Sequence, residues 1–401
     1  MSNVWEGQMK VRDAGLTARS LHSGAISGPS EVSDNAGLSN GPPISRALLL
    51  AGGNGVRLRP LTSCRNKHMI PLANQPMILY ALGHLSRAGI KEVGVVLGPF
   101  HEEIEAAIGD GTDFGMDITY LQQGEPRGLA HAVTCGRDFL GDDPFIMYLG
   151  DNLLQEGVGR VLDLYRRTLP DAAIAVTPVD DPRQYGVVEL SGKKIVSIEE
   201  KPLEPRSNLA LVGTYVFSSS VHAIIADLQP SGRGELEITD ALRRLHEGGS
   251  PIAVQTLHGW WKDTGRHSDL LDANEQILRT MARRSFRIDG KVESHGAIES
   301  SVAVGEGSVI DAVSRVQGPS VIGRDVAITR GATVGPYSSI GDSVQVQTAS
   351  VRRSIVMEGA QILGPLRITN SIIGRNARIT ARRPVDEEVS LTVGDSALVE
   401  L

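Results

Sequence analysis

The segment that decides the fold is Arg46–Pro71, which reads RALLLAGGNGVRLRPLTSCRNKHMIP. The apolar run Ala47–Ala51 is typical of a short buried parallel strand, and it leads into Gly52-Gly53-Asn54-Gly55. Because glycines lack a Cβ atom, their backbone N–H groups can close around a phosphate. Arg57 and Lys67 follow with charges that can neutralise a polyphosphate. The segment therefore predicts a nucleoside triphosphate site at the end of a strand.

Two familiar phosphate loops do not match this segment. A Walker A loop requires G-K-[ST] after four spacer residues, and no such triplet follows Gly52 or Gly53. A dinucleotide-binding turn requires a third glycine, but Leu58 stands at that place. A glycine-rich turn after a strand is by itself compatible with any α/β protein. Other segments must therefore decide the function.

Further motifs follow the glycine turn in a fixed order. They are NKHMIPLANQPMI from Asn66, QGEPRGLAHA from Gln123, YLGDN from Tyr148, EEKP from Glu199, GELEITD from Gly234 and WWKDTG from Trp260. Together they resemble the signature of the sugar-1-phosphate nucleotidyltransferases over about residues 46–278. With the C-terminal repeat described below, the resemblance is closest to long-form glucose-1-phosphate thymidylyltransferases. Val56 and Gln75 depart from this signature, which more often has threonine and lysine there.

Composition narrows the class of protein. The chain has 401 residues, a formal net charge of -7, 4% aromatic residues and two cysteines, Cys64 and Cys135. An acidic chain with few aromatic residues and no basic run disfavours nucleic acid as a partner. Two cysteines cannot form a disulfide framework, and the chain has neither a signal-peptide pattern nor the roughly 20-residue apolar stretch of a membrane helix. We therefore expect a cytoplasmic protein that acts on small molecules without a membrane partner.

The sequence divides into three parts. Residues 1–44 are rich in Gly, Ser and Asn without apolar periodicity, which predicts a disordered extension. Residues 45–285 alternate short apolar runs with amphipathic ones, which predicts an α/β domain with a Rossmann-like, mostly parallel sheet. The expected strands are 47–51, 92–97, 117–122, 145–149, 172–179, 187–190, 195–199 and 213–217, and the expected helices are 77–88, 101–108, 129–139 and 157–167. Gly52, Gln123 and Asp151 each follow a strand, and ligands bind at that edge of such sheets.

A six-residue repeat occupies the remainder of the chain, residues 286–401. Aliphatic residues recur every six positions from Ile298 to Val346, and small or β-branched residues lie two positions before them. The phase slips after Ser350 and resumes at Val356. This is the hexapeptide repeat of a parallel β-helix, in which each unit forms one side of a triangular coil. By resemblance to other hexapeptide proteins, the coil should be left-handed.

The resemblance implies a reaction and a metal ion. In this family an oxygen of a sugar 1-phosphate attacks the α-phosphorus of a nucleoside triphosphate, and pyrophosphate leaves. Both reactants are anionic, so the site must screen their repulsion and hold them in line. By the resemblance, Asp151 and Asp263 bind Mg²⁺, which usually takes one or two carboxylates with phosphate oxygens and water. From their chemistry alone, both aspartates could instead cap helices or turns.

Four cations are candidates for phosphate binding. Arg57 and Lys67 would hold the triphosphate, Lys201 would hold the sugar phosphate, and Arg233 is a further candidate on the sugar-phosphate side. Arginine suits bidentate contacts with phosphate, whereas lysine acts as a point charge. Position inside ordered motifs separates the first three from ordinary surface cations. The residues expected to be catalytic are Arg57, Lys67, Asp151 and Lys201.

The resemblance also implies residues that set specificity. Gln123 would read thymine or uracil, because an amide can pair with both a donor and an acceptor on a pyrimidine edge. Glu200 would accept hydrogen bonds from sugar hydroxyls, and Gly186 would leave room for the ring. The expected nucleotide-binding residues are Gly52, Gly53, Gly55, Arg57, Gln123 and Gly128. The expected sugar-phosphate-binding residues are Asn152, Tyr185, Gly186, Glu200, Lys201 and Arg233.

The expected reaction joins dTTP and α-D-glucose-1-phosphate to give dTDP-glucose and pyrophosphate by Mg²⁺-assisted direct displacement. An enzyme that uses UTP or another sugar phosphate is the nearest alternative. Acyl transfer is a second alternative, because hexapeptide coils in acyltransferases use a histidine as base; here the coil region offers only His295. A non-catalytic regulatory subunit is a third, and the presence of Lys67, Asp151 and Asp263 argues against it. We also expect a homo-oligomer.

Overall fold

The computed structural model describes residues 43–283, 287–293, 297–299 and 301–401. Residues 1–42, the expected domain boundary at 285 and 286, and His295 lie outside these ranges. Ile44 was assigned to the extension, but its side chain is 2% exposed and packs in the core of the first domain. The packed domain therefore begins before residue 45.

One nine-stranded sheet forms the centre of the first domain. With two small two-stranded sheets, the strands are β1 Arg46–Ala51, β2 Pro71–Leu72, β3 Gln75–Pro76, β4 Glu92–Leu97, β5 Asp117–Gln122, β6 Phe145–Leu149, β7 Asn152–Leu154, β8 Ala172–Pro178, β9 Gly186–Ser191, β10 Lys194–Glu200, β11 Leu209–Phe217, β12 Ile252–Thr256 and β13 Trp261–Asp263. Strands β6, β1, β4 and β5 lie side by side and are parallel. Strand β11 is antiparallel to its neighbours β6, β8 and β9. The predicted Rossmann-like sheet is confirmed, with an antiparallel extension on one side.

Helices cover both faces of this sheet. They are α1 Met77–Arg87, α2 Glu102–Ile108, α3 Leu129–Cys135, α4 Arg137–Leu140, α5 Gly159–Thr168, α6 Ser220–Ala226, α7 Ile238–Glu247 and α8 His267–Met281. Alternate residues of β1 enter different cores: Leu49 packs with α1, α2 and α5, whereas Leu48 packs with α3, α6 and α7. Burial on both faces explains why β1 is a continuous apolar run. None of the described helices combines the length and apolar character needed to cross a membrane.

Most predicted elements appear within two residues of their expected ends, and β4, β5 and β6 have the expected bounds. The helix expected over 129–139 is wrong, because the chain forms α3 and α4 with a break at Gly136. A Cβ atom at this position would lie 2.6 Å from Cδ1 of Leu48, so the backbone here packs directly on β1. Apolar periodicity did not reveal this close approach.

Three parallel sheets of seven, six and five strands form the second domain. Their strands are β14 Lys291–Val292, β15 Val302–Val304, β16 Val309–Ile310, β17 Arg315–Val316, β18 Ser320–Ile322, β19 Ala327–Thr329, β20 Thr333–Val334, β21 Ser338–Ile340, β22 Gln345–Gln347, β23 Ser350–Arg352, β24 Ile355–Val356, β25 Gln361–Leu363, β26 Arg367–Thr369, β27 Ile372–Ile373, β28 Arg378–Thr380, β29 Glu388–Val389, β30 Thr392–Val393 and β31 Leu398–Glu400. Strand β14 pairs with β16, and from β15 to β28 each strand pairs with the third one after it. This is the topology of the predicted β-helix. The fold class is therefore confirmed.

The repeat accounts for the core of the β-helix. Its aliphatic residues from Val304 to Val346 are at most 2% exposed and form one cluster along the axis. The phase slip has a simple cause: between Val346 and Val356 the repeat shortens to steps of five residues, so Val351 also fills the axis. Val351 pairs in register with Val334 and Ile368 of the neighbouring coils.

A shared apolar cluster joins the two domains. Leu58 and Leu61 from the segment after β1 pack in one cluster with Ile355, Met357 and Ile372 of the β-helix, and all five are buried. Helix α8 contributes further residues to the same cluster. The β-helix therefore packs against the part of the first domain that follows the glycine turn.

Candidate active site

The glycine turn after β1 lies against two of the predicted site residues. A Cβ atom at Gly52 would lie 2.6 Å from Oε1 of Gln123, and one at Gly53 would lie 3.0 Å from Cε of Lys67. Gly55 adopts a φ of 59°, in the left-handed region that favours glycine, and then the short 3-10 turn Val56–Leu58 begins. The glycines thus allow the backbone to approach both side chains closely.

Lys67 is held beside Asp151 by the folded segment that carries it. The side chain of Asn66 donates hydrogen bonds to the carbonyls of Ala51 and Pro99, at 3.3 and 3.2 Å, and accepts one from the N–H of His68. Lys67 Nζ then forms an ion pair with Asp151 Oδ2. Burial opposes ionisation of Asp151, but the positive charge of Lys67, the neighbouring His68 and the hydrogen bonds from Lys67 and Asn152 together outweigh it. They hold the pKa of Asp151 well below its usual range.

Two short strands bring the second carboxylate to the same place. Strand β13 pairs antiparallel with β7, with Asp263 opposite Asn152. Thr264 strengthens the contact, because its Oγ1 donates a 2.8 Å hydrogen bond to the carbonyl of Asp151. Burial and the negative charge of Asp151 raise the pKa of Asp263 to about 6. Two carboxylates with such opposed pKa values form a pair that a cation between them would stabilise.

Arg57 lies on the same side of the site as Asp263. A Cβ atom at Gly265, two residues after Asp263, would lie 2.9 Å from Nη2 of Arg57, so the guanidinium group covers this glycine. The charge of Arg57 lowers the pKa of Asp263, although burial and Asp151 dominate in the opposite direction. Arg57 is exposed, which leaves its guanidinium group available to a phosphate.

A second cluster gathers the residues predicted to bind the sugar phosphate. Glu200 accepts hydrogen bonds from Thr239 Oγ1 at 3.0 Å and from Arg233 Nη1 at 3.1 Å, and Lys201 Nζ lies 3.7 Å from its Oε1. Glu200 also pairs with Gly186 across strands β9 and β10. A Cβ atom at Gly186 would lie 2.6 Å from Cγ2 of Thr239, so this glycine is required for packing against α7.

An aromatic bridge connects the two clusters. Asn152 Nδ2 donates to Asp151 Oδ1 at 3.0 Å, and Trp261 Nε1 donates to Asn152 Oδ1 at 2.8 Å. The ring of Trp261 packs edge-on against Tyr185, with centroids 5.1 Å apart. The carbonyl of Tyr185 in turn accepts a hydrogen bond from the N–H of Lys201. Trp261 was not among the predicted site residues, although it stands in the quoted motif WWKDTG.

The residues predicted to read the base lie beside the glycine turn. Gln123 Nε2 donates to the carbonyl of Gly128 at 3.4 Å and lies 3.3 Å from Nδ1 of His131. Gly128 has a φ of 103°, and a Cβ atom there would collide with the backbone of Leu236. The position therefore requires glycine. His131, on α3, therefore lies against the Gln123 side chain.

All of the predicted site residues therefore belong to one connected set of contacts at the carboxyl edge of the sheet. Gly52 and Gly53 connect the base side to Lys67 and the carboxylates, and Asn152, Trp261 and Tyr185 connect the carboxylates to the sugar side. A nucleotide, a metal ion and a phosphorylated ligand could each find matching groups here. The individual roles assigned to these residues remain predictions.

Fold and site together define an α/β protein whose glycine turn, cations and paired carboxylates suit phosphate chemistry, joined to a β-helix. Comparison with known proteins narrows this class. A model of the nucleotidyl transferase family matches residues 46–280. The chain therefore belongs to the nucleotidyl transferase family, and the predicted family and enzyme class are confirmed.

Curated relatives are similar over nearly their whole length. A glucose-1-phosphate thymidylyltransferase of Streptomyces griseus is 43% identical over 357 residues, which cover 89% of this chain and 99% of that protein. The low-salt glycan biosynthesis nucleotidyltransferase of Haloferax volcanii is 40% identical over 359 residues, 89% of this chain and 100% of that protein. A solved UDP-glucose pyrophosphorylase in complex with UDP-glucose superposes with a TM-score of 0.54 at 25% identity, covering 59% of this chain and 99% of the other.

Proposed function

We propose that this protein transfers a thymidylyl group from dTTP to α-D-glucose-1-phosphate and releases pyrophosphate. The observation that carries the proposal is the similarity, at 43% and 40% identity, to two proteins from Streptomyces griseus and Streptomyces antibioticus that are both named glucose-1-phosphate thymidylyltransferase. Each is covered over 99% of its length. The relative named for UDP-glucose is only 25% identical, so the thymidylyl reaction is favoured over the UTP-dependent alternative.

The chemistry requires an in-line displacement. An oxygen of the sugar phosphate attacks the α-phosphorus of dTTP, a new P–O bond forms, and the bond to the bridging oxygen of pyrophosphate breaks with its electron pair. Lys67 and Arg57 would neutralise the phosphates of dTTP, and Lys201 and Arg233 would hold the sugar phosphate. Preorganised charges of this kind stabilise the transition state without reorganisation. No covalent nucleophile is required.

A divalent metal fits the pair of carboxylates. Asp151 and Asp263 offer hard oxygen ligands on two segments that pair through β7 and β13, and burial together with the charge of Asp151 raises the pKa of Asp263 to about 6. Mg²⁺ held by this pair would supply positive charge to the phosphates and to the leaving pyrophosphate. Lys67, which forms an ion pair with Asp151, would act in the same region from the side of the glycine turn.

Gln123 is the proposed reader of the base. Its amide lies between the glycine turn and Gly128, where it could pair with a pyrimidine. On the sugar side, Glu200 would accept from sugar hydroxyls while Thr239 and Arg233 fix its orientation. A homo-oligomeric assembly and a cytoplasmic location remain predictions.

Acyl transfer is disfavoured as a second activity. The base used by hexapeptide acyltransferases is a coil histidine, and the sequence contains no histidine after His295. His295 precedes the repeat in the sequence and lies outside the described residues. The β-helix is therefore better explained as a packing partner of the first domain, with which it shares an apolar cluster.

The decisive experiment is an assay of pyrophosphate release by the full chain with Mg²⁺. It would cover dTTP, UTP, ATP and GTP against the 1-phosphates of glucose, galactose, mannose and N-acetylglucosamine. We expect the highest kcat/KM for dTTP with glucose-1-phosphate. A higher value for another pair would replace the proposed substrates. Absence of turnover with every pair would overturn the proposed activity.

A further inference from the structure

The segment that carries Arg57 and Lys67 also contacts the last coil of the β-helix. Arg65, two residues before Lys67, is only 2% exposed, and its Nη2 donates a 2.6 Å hydrogen bond to Oδ2 of Asp395. Its Nη1 lies 3.4 Å from Sδ of Met357 in the same domain. A buried arginine thus joins the proposed active site to the far end of the chain.

Asp395 is in turn held firmly by its own domain. Its Oδ1 accepts a 2.8 Å hydrogen bond from the backbone N–H of Arg375, and the side chain is 17% exposed. Arg375 donates a 2.7 Å hydrogen bond to Glu103 on α2, so the coil is tied to the first domain at a second point. Asp395 is therefore a fixed acceptor for Arg65.

Apolar contacts also hold the segment from Arg57 to Lys67 against the β-helix. A Cβ atom at Gly394 would lie 3.2 Å from Cβ of Pro60, and Leu58 and Leu61 pack in the shared cluster with Met357. The segment from Arg57 to Lys67 therefore lies between the glycine turn and the β-helix. Its position depends on both domains.

We propose that Arg65 and Asp395 are positioning residues through which the last coil of the β-helix holds Lys67 in its working place. The inference rests on the proposed function, because it assigns the β-helix a part in the same reaction. Neither residue is proposed to touch substrate. Breaking a buried pair leaves an uncompensated charge, which strongly destabilises the present position of the segment and favours its displacement. A displacement of about 1 Å in a catalytic group can reduce the rate about a hundredfold.

The test is a double-mutant cycle on pyrophosphate release. Asp395→Asn keeps the acceptor for the N–H of Arg375 but removes the charge that faces Arg65. We expect it to lower kcat by about tenfold to a hundredfold with little change in KM. In a Lys67→Ala background the same substitution should change the residual kcat by less than about twofold, because residues that act through one group are not additive.

A matched control uses another ion pair across the same interface. Arg353 of the β-helix donates to Asp272 and Glu275 on α8, at 2.6 and 2.7 Å, and not to a residue between Arg57 and Lys67. Arg353→Gln should lower the melting temperature and leave kcat near the wild-type value. If it reduces kcat as much as Asp395→Asn does, the effect is general loosening of the interface and the inference is wrong.

Three other outcomes also test whether Arg65 and Asp395 position Lys67. If Asp395→Asn does not fold, Arg65→Lys tests the same link, since it keeps the charge but loses the planar fork; wild-type kcat in the variant that folds would overturn the inference. Equal effects of Asp395→Asn with and without Lys67 would overturn it too. If the wild-type chain releases no pyrophosphate from any substrate pair, the proposed function itself has failed, which is a different result.

Discussion

Asp263 lies directly opposite Asn152 in an antiparallel pair of short strands, so the negative charge of Asp151, the residue before Asn152, acts on the Asp263 carboxylate. Asn152 also donates a hydrogen bond to Asp151, and Thr264 donates one to the Asp151 carbonyl. Two segments far apart in the chain therefore supply one acidic pair. The pair faces Lys67 and Arg57, and this local arrangement leads to specific tests.

Removing either acidic side chain should abolish the proposed reaction. In Asp151→Asn and Asp263→Asn, an amide replaces a carboxylate, and an amide is a poor ligand for a hard divalent cation. We expect pyrophosphate release at saturating Mg²⁺ to fall to background in both variants. Asp180→Asn, at an exposed turn, is the matched control and should retain full activity. Near-wild-type turnover in either site variant would refute the metal assignment.

Loss of the lysine should slow the chemical step. Lys67→Ala removes one preorganised charge beside the reacting phosphates, and we expect kcat to fall by about a hundredfold or more. Lys91→Ala removes a charge of the same sign at an exposed position after α1 and should have no effect. Steady-state kinetics with both substrates varied would measure kcat and KM for the two variants. A change confined to KM would show that Lys67 only binds substrate.

The raised pKa of Asp263 predicts a pH-dependent gain in stability on its removal. Burial and Asp151 raise this pKa from 3.8 to about 6. Above pH 6 the ionised carboxylate destabilises the folded state, and this penalty disappears as the pH falls through 6 towards 3.8, because the folded state binds the proton more tightly. In EDTA at about pH 7.5, Asp263→Asn should raise the free energy of unfolding by about 1–3 kcal/mol, and by less at about pH 5. Urea unfolding would measure both values.

Excess Mg²⁺ should reverse the difference in the free energy of unfolding between Asp263→Asn and the wild-type chain. A ligand that binds only the folded state stabilises it in proportion to the logarithm of its concentration over its Kd. Excess Mg²⁺ should therefore stabilise the wild-type chain and leave Asp263→Asn nearly unchanged. Equal stabilisation of both proteins by Mg²⁺ would place the metal elsewhere. This readout does not depend on catalytic activity.

The start of the packed domain can be tested at two neighbouring positions. Deleting residues 1–42 should leave both kcat and the melting temperature unchanged, as the sequence predicts for an extension. Ile44→Ala should lower the free energy of unfolding by about 2–4 kcal/mol, because it removes a fully buried aliphatic group. A large loss of activity on deletion of residues 1–42 would show that the extension contributes to the enzyme.

Much of the fold follows from local pattern. Strands β4, β5 and β6 have the bounds expected from sequence because each run is closed by turn residues. The β-helix follows from the six-residue period, which places the aliphatic residues of the repeat from Val304 to Val346 on one axis. The break in the predicted helix 129–139 did not follow from the apolar pattern, which also did not reveal the close approach of Gly136 to Leu48, a residue of another element.

The sequence motifs predicted individual residues of the candidate site but not all of the contacts between them. Ordered motifs identified Lys67, Asp151, Gln123 and Glu200 as members of one family signature. They could not identify Trp261 as the bridge between the two clusters. A tryptophan in a motif resembles any other core aromatic until its hydrogen-bond partner is known.

By itself, then, the sequence determined the family, the α/β and β-helix architecture, and the residue types available for phosphate chemistry, because these depend on short motifs and regular periods. Only the tertiary structure decided which distant residues meet. The pairing of Asp263 with Asn152 and the ion pair of Arg65 with Asp395 join segments through very short strands and single side chains. Such contacts leave no periodic trace along the chain, so they appear only when the packed domains bring their atoms together.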